Sequence, residues 1–316
     1  MLLHRRKRLI LIGCLLLVSN QARSDARQAK LAIAKKPIFP AVEPGQPEWD
    51  VTQHFIPLRD IRSGGVARDA IPALSFPKFV LPRQTTQKLN LNDRVLRLAI
   101  HRSAKAYPIR ILNWHEIVNN RIAGRPVLVS WRPLCGSEIV YDPVVHGRRF
   151  TFGVSGLLYR RNLLLYNRQT HSLWSQLGEL AVTGPLAGTK LRLFPARETT
   201  WRDWRKGYPH TQVLSFQTGF LRDYRRDPYA SFFLNRVPYL IVVASGQSKI
   251  YPSAQLKKKT RLGGGSFAGR HYQVQYQRRP RTAETIPLDG KPLAQFVSYL
   301  FDARTFFPKA RVFKAK

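Results

Sequence analysis

Cysteine, methionine and acidic side chains are what this chain has least of. Its 316 residues include two cysteines, Cys14 and Cys135, one methionine, and 18 Asp plus Glu. Cys14 lies in an opening stretch whose removal is expected. One thiol then remains, an internal disulfide is excluded, and packing rather than covalent staples must hold the fold. The apolar run over residues 9–18 falls short of the roughly 20 residues that a helix needs to cross a bilayer. Several catalytic signatures are absent as well. There is no His-Glu-x-x-His, no phosphate-binding glycine loop and no dinucleotide fingerprint, and Gly153-Val154-Ser155-Gly156 is one residue too short for a nucleophile elbow.

Positive charge is what abounds. Against 18 acids stand 53 Lys and Arg, a net charge of +35, scattered through patterned segments and gathered in pairs such as Arg148-Arg149, Arg160-Arg161 and Arg225-Arg226. Such a field draws anionic surfaces. The N-terminus narrows which ones. A basic cluster at residues 5–8, the short apolar run, and Ala22-Arg23-Ser24 form the three parts of a secretory signal peptide, with residues 1–24 expected to be cleaved. Export to a periplasmic or extracellular compartment argues against nucleic acid and for anionic envelope polymers or lipid headgroups as partners. A general basic bias explains the charge equally well. Leu11-Ile12-Gly13-Cys14 resembles a lipoprotein box, but the apolar run continues through Leu17, where a lipidated cysteine normally ends it. Anchoring through an uncleaved N-terminus is the alternative.

Residues 25–56 read as a linker because PIFPAVEPGQPEWD crowds proline and glycine, and residues 57–93 read as an extended segment draped over a core. Regular structure is expected from Arg94. Residues 95–100 and 105–109 read as paired strands, and 113–120 as a short helix capped by Asn113 with Glu116 three residues on. Residues 126–131 read as a strand, and 138–144 with 149–154 as a hairpin about His146-Gly147. The expected fold is α+β and β-rich, with antiparallel sheets or a partly open barrel and short helices.

The text also repeats. LRLAIHRSAKAYPIRIL from Leu96 lies without gaps over LIVVASGQSKIYPSAQL from Leu240, and IAGRPVLVSW from Ile122 lies over FAGRHYQVQY from Phe267. Each copy closes on a helix, the second with Leu293, Phe296, Val297, Leu300 and Phe301 at helical spacing on one face. Two internally repeated halves, 94–220 and 221–316, are therefore expected. Residues 132–190 have no counterpart in the second half, so a function grafted on the scaffold is expected there.

YPIRILNWHEIVNN, WRPLCGS, FGVSGLLYRRNLLLYNRQTHSLWSQ and GPLAGTKL resemble, in the same order, the bacterial and archaeal family known as domain of unknown function 3179. The likeness covers most of the chain from about Val66 onward. The resemblance implies an exported or envelope-associated protein, with no agreed activity. Members of that family carry Cys-Pro-Leu-Cys-Gly where this chain has Arg132-Pro133-Leu134-Cys135-Gly136. The dithiol or paired sulfur ligands of that motif are not available here.

Candidate chemistry gathers on a few side chains. Cys135 is a candidate nucleophile or soft metal ligand, its thiol lowered by Arg132 and by the approach of His115, and otherwise a small buried apolar residue. His115, beside Glu116, is a candidate general base or a second ligand to a transition metal ion, and otherwise a histidine bridging the core. Arg168 offers a bidentate clamp for a carboxylate or phosphate, Trp174 a stacking wall and Gln176 a hydrogen bond. An internal carboxylate would satisfy Arg168 equally. His146, His171 and His210 read as turn or solvated residues.

The expectation is one pocket formed by His115, Cys135, Arg168, Trp174 and Gln176, with Arg132 beside Cys135. It would bind a small anionic ligand or a metal ion and support thiol- or metal-dependent catalysis. The alternative is a non-catalytic basic envelope protein that holds anionic polymers or lipids, with Arg132 marking the decay of an older site.

Overall fold

The computed structural model describes residues 48–85, 88–232, 238–256, 261–277, 282–291 and 293–314. The expected signal peptide, Cys14 and most of the first linker lie outside the described residues.

The chain opens with β1 (Ile61–Ser63) and β2 (Phe79–Val80), followed by the hairpin β3 (Arg94–Ile100) and β4 (Ser103–Pro108). Helix α1 (Ile109–His115) leads to β5 (Ile117–Ile122), β6 (Arg125–Arg132) and β7 (Ser137–Asp142). A small pair, β8 (Val144–Val145) and β9 (Arg148–Arg149), precedes β10 (Phe152–Tyr159), β11 (Asn162–Asn167), β12 (Leu173–Ser175) and β13 (Leu180–Thr183). Next come β14 (Arg192–Phe194), β15 (Arg197–Thr200), α2 (Trp201–Gly207) and β16 (Gln212–Leu214). The remainder is β17 (Pro238–Ala244), β18 (Gln247–Pro252), α3 (Ser253–Leu256), β19 (Arg261–Phe267), β20 (Arg270–Gln277), β21 (Thr282–Pro287), β22 (Ala294–Tyr299), α4 (Leu300–Phe306) and β23 (Arg311–Val312).

The larger sheets run β1-β10-β11-β12-β13, β14-β7-β6-β5, β15-β3-β4-β16-β2, β22-β17-β18-β23 and β19-β20-β21. Their pairings are antiparallel except where β16 joins β4 and β23 joins β18. Among the described residues no sheet closes into a barrel. Five of the tight hairpins share one device: Ala123-Gly124, His146-Gly147, Arg160-Arg161, Ser245-Gly246 and Ala268-Gly269 all have positive φ at both turn positions. This is the turn geometry that matches the twist of paired strands. The series β15-β3-β4-β16 and β22-β17-β18-β23 also follow the same order of antiparallel, antiparallel and parallel pairings.

One core packs Leu128 and Tyr141 against Phe152, Leu165 and Trp174 and extends to Ile241 and Phe296. A second packs Leu96, Tyr107 and Leu112 against Val129 and Trp131. The sheet holding β5, β6 and β7 therefore has apolar cover on both faces. Its strands bury nearly every residue, which erases the polar-apolar alternation of a half-exposed sheet.

Two expected helices sit elsewhere. The first begins at Ile109, straight after Pro108, and ends at His115; residues 117–120, expected as the second half of a helix over 113–120, belong to strand β5. Asn113 caps nothing, and its Oδ1 accepts the indole N–H of Trp131 at 2.7 Å. In the C-terminal segment, Phe296 and Val297 belong to strand β22 and the helix starts at Leu300. The apparent helical stripe arose because neighbouring residues of that strand are buried on both of its faces.

Candidate functional site

The turn that carries the single thiol is built by β6, one turn of 3-10 helix over Pro133–Cys135, and the reversal into β7. Gly136 makes the reversal possible. Its φ is +56°, and a Cβ there would lie 2.7 Å from the ring of Tyr299. Cys135 is buried beneath this turn with Sγ 3.6 Å from the Arg161 carbonyl. Burial, reinforced by Asp302, pushes the thiol up to about 12 against the opposing pull of Arg132 and Asn162. The thiolate expected from the neighbouring arginine is therefore corrected: removal from water outweighs the cation.

Arg132 has another partner. Its Nη1 donates to Glu116 Oε1 at 2.9 Å, and Tyr229 Oη donates to the same oxygen at 3.3 Å. Burial raises the Glu116 carboxyl, with Arg132 pulling it back. Glu116 caps the C-terminal end of α1 at φ +52°, a backbone region that non-glycine residues rarely occupy. Two backbone bonds hold it there: its N–H donates to the Leu112 carbonyl at 2.8 Å, and its own carbonyl accepts from the Trp131 N–H at 2.7 Å. Arg132 Nε and Glu116 Oε2 are both buried with no hydrogen-bond partner in the protein.

These two residues form the polar part of a cavity of about 200 Å³. Its other walls are mainly aliphatic, from Val66, Ile71, Leu134, Val154 and Leu157, with Tyr229 at the polar side. The wall near Leu157 is shaped by a bulge in β10, where the register with β11 shifts between Val154 and Leu158. Gly156 sits in that bulge at φ +78°, and a Cβ would fall 2.4 Å from the Val66 carbonyl oxygen. The close approach of segment 64–67, sealed by the Gly64 N–H to Gly156 carbonyl bond at 2.7 Å, is what closes this side.

Of the residues expected to gather, Arg132 alone lines this cavity. His115 precedes Glu116 but turns to other partners. Its Nδ1 lies 2.7 Å from the Pro72 carbonyl and its Nε2 2.7 Å from Tyr224 Oη. A carbonyl can only accept, so Nδ1 carries the proton and Tyr224 donates to Nε2. Burial holds the imidazole below its usual range. Both nitrogens are thus engaged, and none of these partners is shared with Cys135, so the two do not form the joint catalytic or metal pair that was expected.

Arg168 clamps a carboxylate in bidentate fashion, but that carboxylate is Asp69, at 2.9 and 3.1 Å. Trp174 is fully buried, its Nε1 donating to Asn167 at 3.0 Å and its ring edge-on to Phe152. Gln176 is fully satisfied. Its Oε1 accepts from Ser137 and Asn162, and its Nε2 donates to Ser130 and the Ser137 carbonyl, tying β6 and β7 to β11. Trp174 and Gln176 join strands to one another, Arg168 ties the end of β11 to the Asp69 turn, and none of the three lines the cavity.

Among the described residues no three His, Cys, Asp or Glu side chains converge as a metal site. Sequence reasoning missed Glu116 and Tyr229 as site residues. The register of the β5–β6 hairpin, which pairs Ile117 with Ser130, sets Glu116 opposite the start of WRPLCG, and a helix expected over 113–120 hid that register.

A family model described as protein of unknown function (DUF3179) matches residues 68–286. No curated protein matches the chain. No solved structure matches it either.

Proposed function

The chain belongs to the DUF3179 family, and on that premise we propose that it is an exported binding protein whose ligand occupies the cavity of Arg132 and Glu116. One observation carries the reading: Arg132 and Glu116, each with a buried polar atom that has no partner, Nε–H and Oε2, form the polar side of a mainly aliphatic cavity. Leaving a buried polar group unmet costs about 1–3 kcal/mol, a penalty that a bound ligand would offset.

The chemistry of the walls selects the ligand class. Glu116 already balances the charge of Arg132, so an anion would meet the carboxylate as well as the guanidinium. A neutral group with a donor and an acceptor side by side, such as a carboxamide, a lactam or a hydroxyl, complements both free positions. The cavity of about 200 Å³ suits a compact small-molecule ligand. The reading is binding without a reaction, because the Cys135 thiol is held protonated and the His115 ring is engaged with Pro72 and Tyr224.

Export is supported by the three-part N-terminus. Duplication of the hairpin, helix and hairpin unit belongs to the same reading, supported by the two sheets that share one pairing order.

Native mass spectrometry of protein isolated from its native compartment tests the proposal. A chain that starts near residue 25 and carries a small neutral ligand is expected. A stoichiometric metal ion or a carboxylate-bearing ligand in its place would overturn it.

A further inference from the structure

A second feature lies away from the cavity, at one end of the sheet edge formed by β2 and β16. The two strands are antiparallel, with Val213 opposite Val80 and Leu214 opposite Phe79. The Ser215 N–H continues the pairing to the Lys78 carbonyl at 2.8 Å. The chain approaching β2 and the chain leaving β16 therefore run side by side past the same end of the sheet. Each then presents a large apolar side chain to water: Phe76 is 96% exposed and Leu221 is 97% exposed, with Phe220 beside it at 42%.

The second loop is rigid at its base and free at its tip. Tyr224 is buried, and its hydroxyl joins both His115 Nε2 and Thr218 Oγ1. The Arg226 carbonyl accepts the indole N–H of Trp114 at 3.1 Å. Cations surround the tips. Lys78, Arg222, Arg225 and Arg226 are exposed. An open depression of about 840 Å³ beside Leu221 is lined by Lys88, Arg222 and Arg225, with one exposed acid, Asp223, among them and Arg110 already paired to Asp93.

We propose that loops 75–78 and 218–226 are two fingers that dock the protein on an anionic lipid bilayer. Phe76 and Leu221 enter the acyl boundary while Lys78, Arg222 and Arg225 hold headgroup phosphates. Peripheral proteins bind membranes in this way, by adding buried apolar area to attraction for anionic lipid. Separate protruding tips ringed by cations suit a fluid, negatively charged surface, whereas a protein partner is met by a contiguous packed patch. The net charge of +35 supplies the long-range attraction. The proposal is independent of the cavity ligand, and it gives His115 a place in the chain of bonds that fixes the second finger.

Co-sedimentation of the full mature chain with phosphatidylcholine vesicles, with and without about one quarter phosphatidylglycerol, tests the docking. Wild type is expected to bind the anionic vesicles. Phe76→Ser with Leu221→Ser is expected to weaken that binding at least tenfold at physiological salt, with the melting temperature unchanged because both side chains are exposed. Leu221→Cys carrying an environment-sensitive dye is expected to shift to the blue on anionic vesicles; Cys135, being buried, leaves the label specific. Binding by the double variant equal to wild type would assign adsorption to diffuse charge and overturn the fingers. Absence of vesicle binding, or an unshifted dye, would overturn them too and leave the tips to a protein partner.

Discussion

Arg132 and Glu116, separated by 16 positions, meet at 2.9 Å with their side chains only 8% and 0% exposed. Arg132→Met leaves the carboxylate buried alone, and the expected loss is about 3–5 kcal/mol in urea denaturation. Arg132→Met combined with Glu116→Met is expected to lose less than the single change. The single variant also has a pH signature. Without the guanidinium, the folded Glu116 carboxyl rises further above its ordinary 4.5, so the folded state holds a proton that the unfolded chain releases. Stability of R132M should fall as pH rises above that value and recover below it. Equal losses for the single and double variants would show that the pair is not coupled.

Cys135 is expected to resist iodoacetamide at about pH 8 in the folded protein and to label fully in guanidinium, since burial holds its thiol near 12. Mass mapping of the Cys135 peptide reads this directly. Rapid labelling of the native state would restore the reactive thiolate.

Glu179 provides a separate pH test. Burial pushes its carboxyl up to about 7 despite Lys190, and its Oε1 has no partner in the protein. Between about pH 4.5 and 7 the folded state keeps a proton that the unfolded chain has lost, so stability falls as pH rises through that window. Glu179→Gln is expected to remove the fall, matching wild type near pH 4 and exceeding it by about 1–3 kcal/mol at pH 8. Parallel denaturation midpoints for both proteins across the range would contradict the placement.

Gly156 and Gly124 share nearly the same φ, +78° and +77°, but only Gly156 is crowded, by the Val66 carbonyl. Gly124→Ala is expected to cost about 1 kcal/mol from backbone conformation alone. Gly156→Ala is expected to cost about 2–4 kcal/mol, because overpacking is added. Equal costs would mean that segment 64–67 does not close on the bulge.

Strands with one open face or a tight turn were partly legible in the sequence: β3 and the turn at His146-Gly147 lie where alternation and turn residues place them, but that turn joins only the short pair β8 and β9, and the strands expected to pair across it, 138–144 and 149–154, fall in different sheets. Of the elements covered on both faces, β6 was read as a strand, but β5 and β22 were not. In β22, Phe296 and Val297 are both buried, so two neighbouring apolar residues imitate a helix. The site was half legible. Arg132 drew notice as a departure from its family's motif, but its partner depends on strand register and on the unusual φ of Glu116, neither of which composition reveals. Arg168 was read correctly as a carboxylate clamp and wrongly as one awaiting a ligand, because Asp69 approaches it from 99 positions away.

The charge balance of Arg132 and Glu116 makes the cavity select a neutral ligand, and saturation-transfer NMR with benzamide and its isosteric anion benzoate measures that selection. Benzamide is expected to bind wild type, benzoate at least tenfold more weakly, and benzamide binding is expected to vanish in the Arg132→Met, Glu116→Met double variant. Benzoate binding as tight as benzamide, benzamide binding that survives the double variant, or no saturation of either probe by wild type would contradict it.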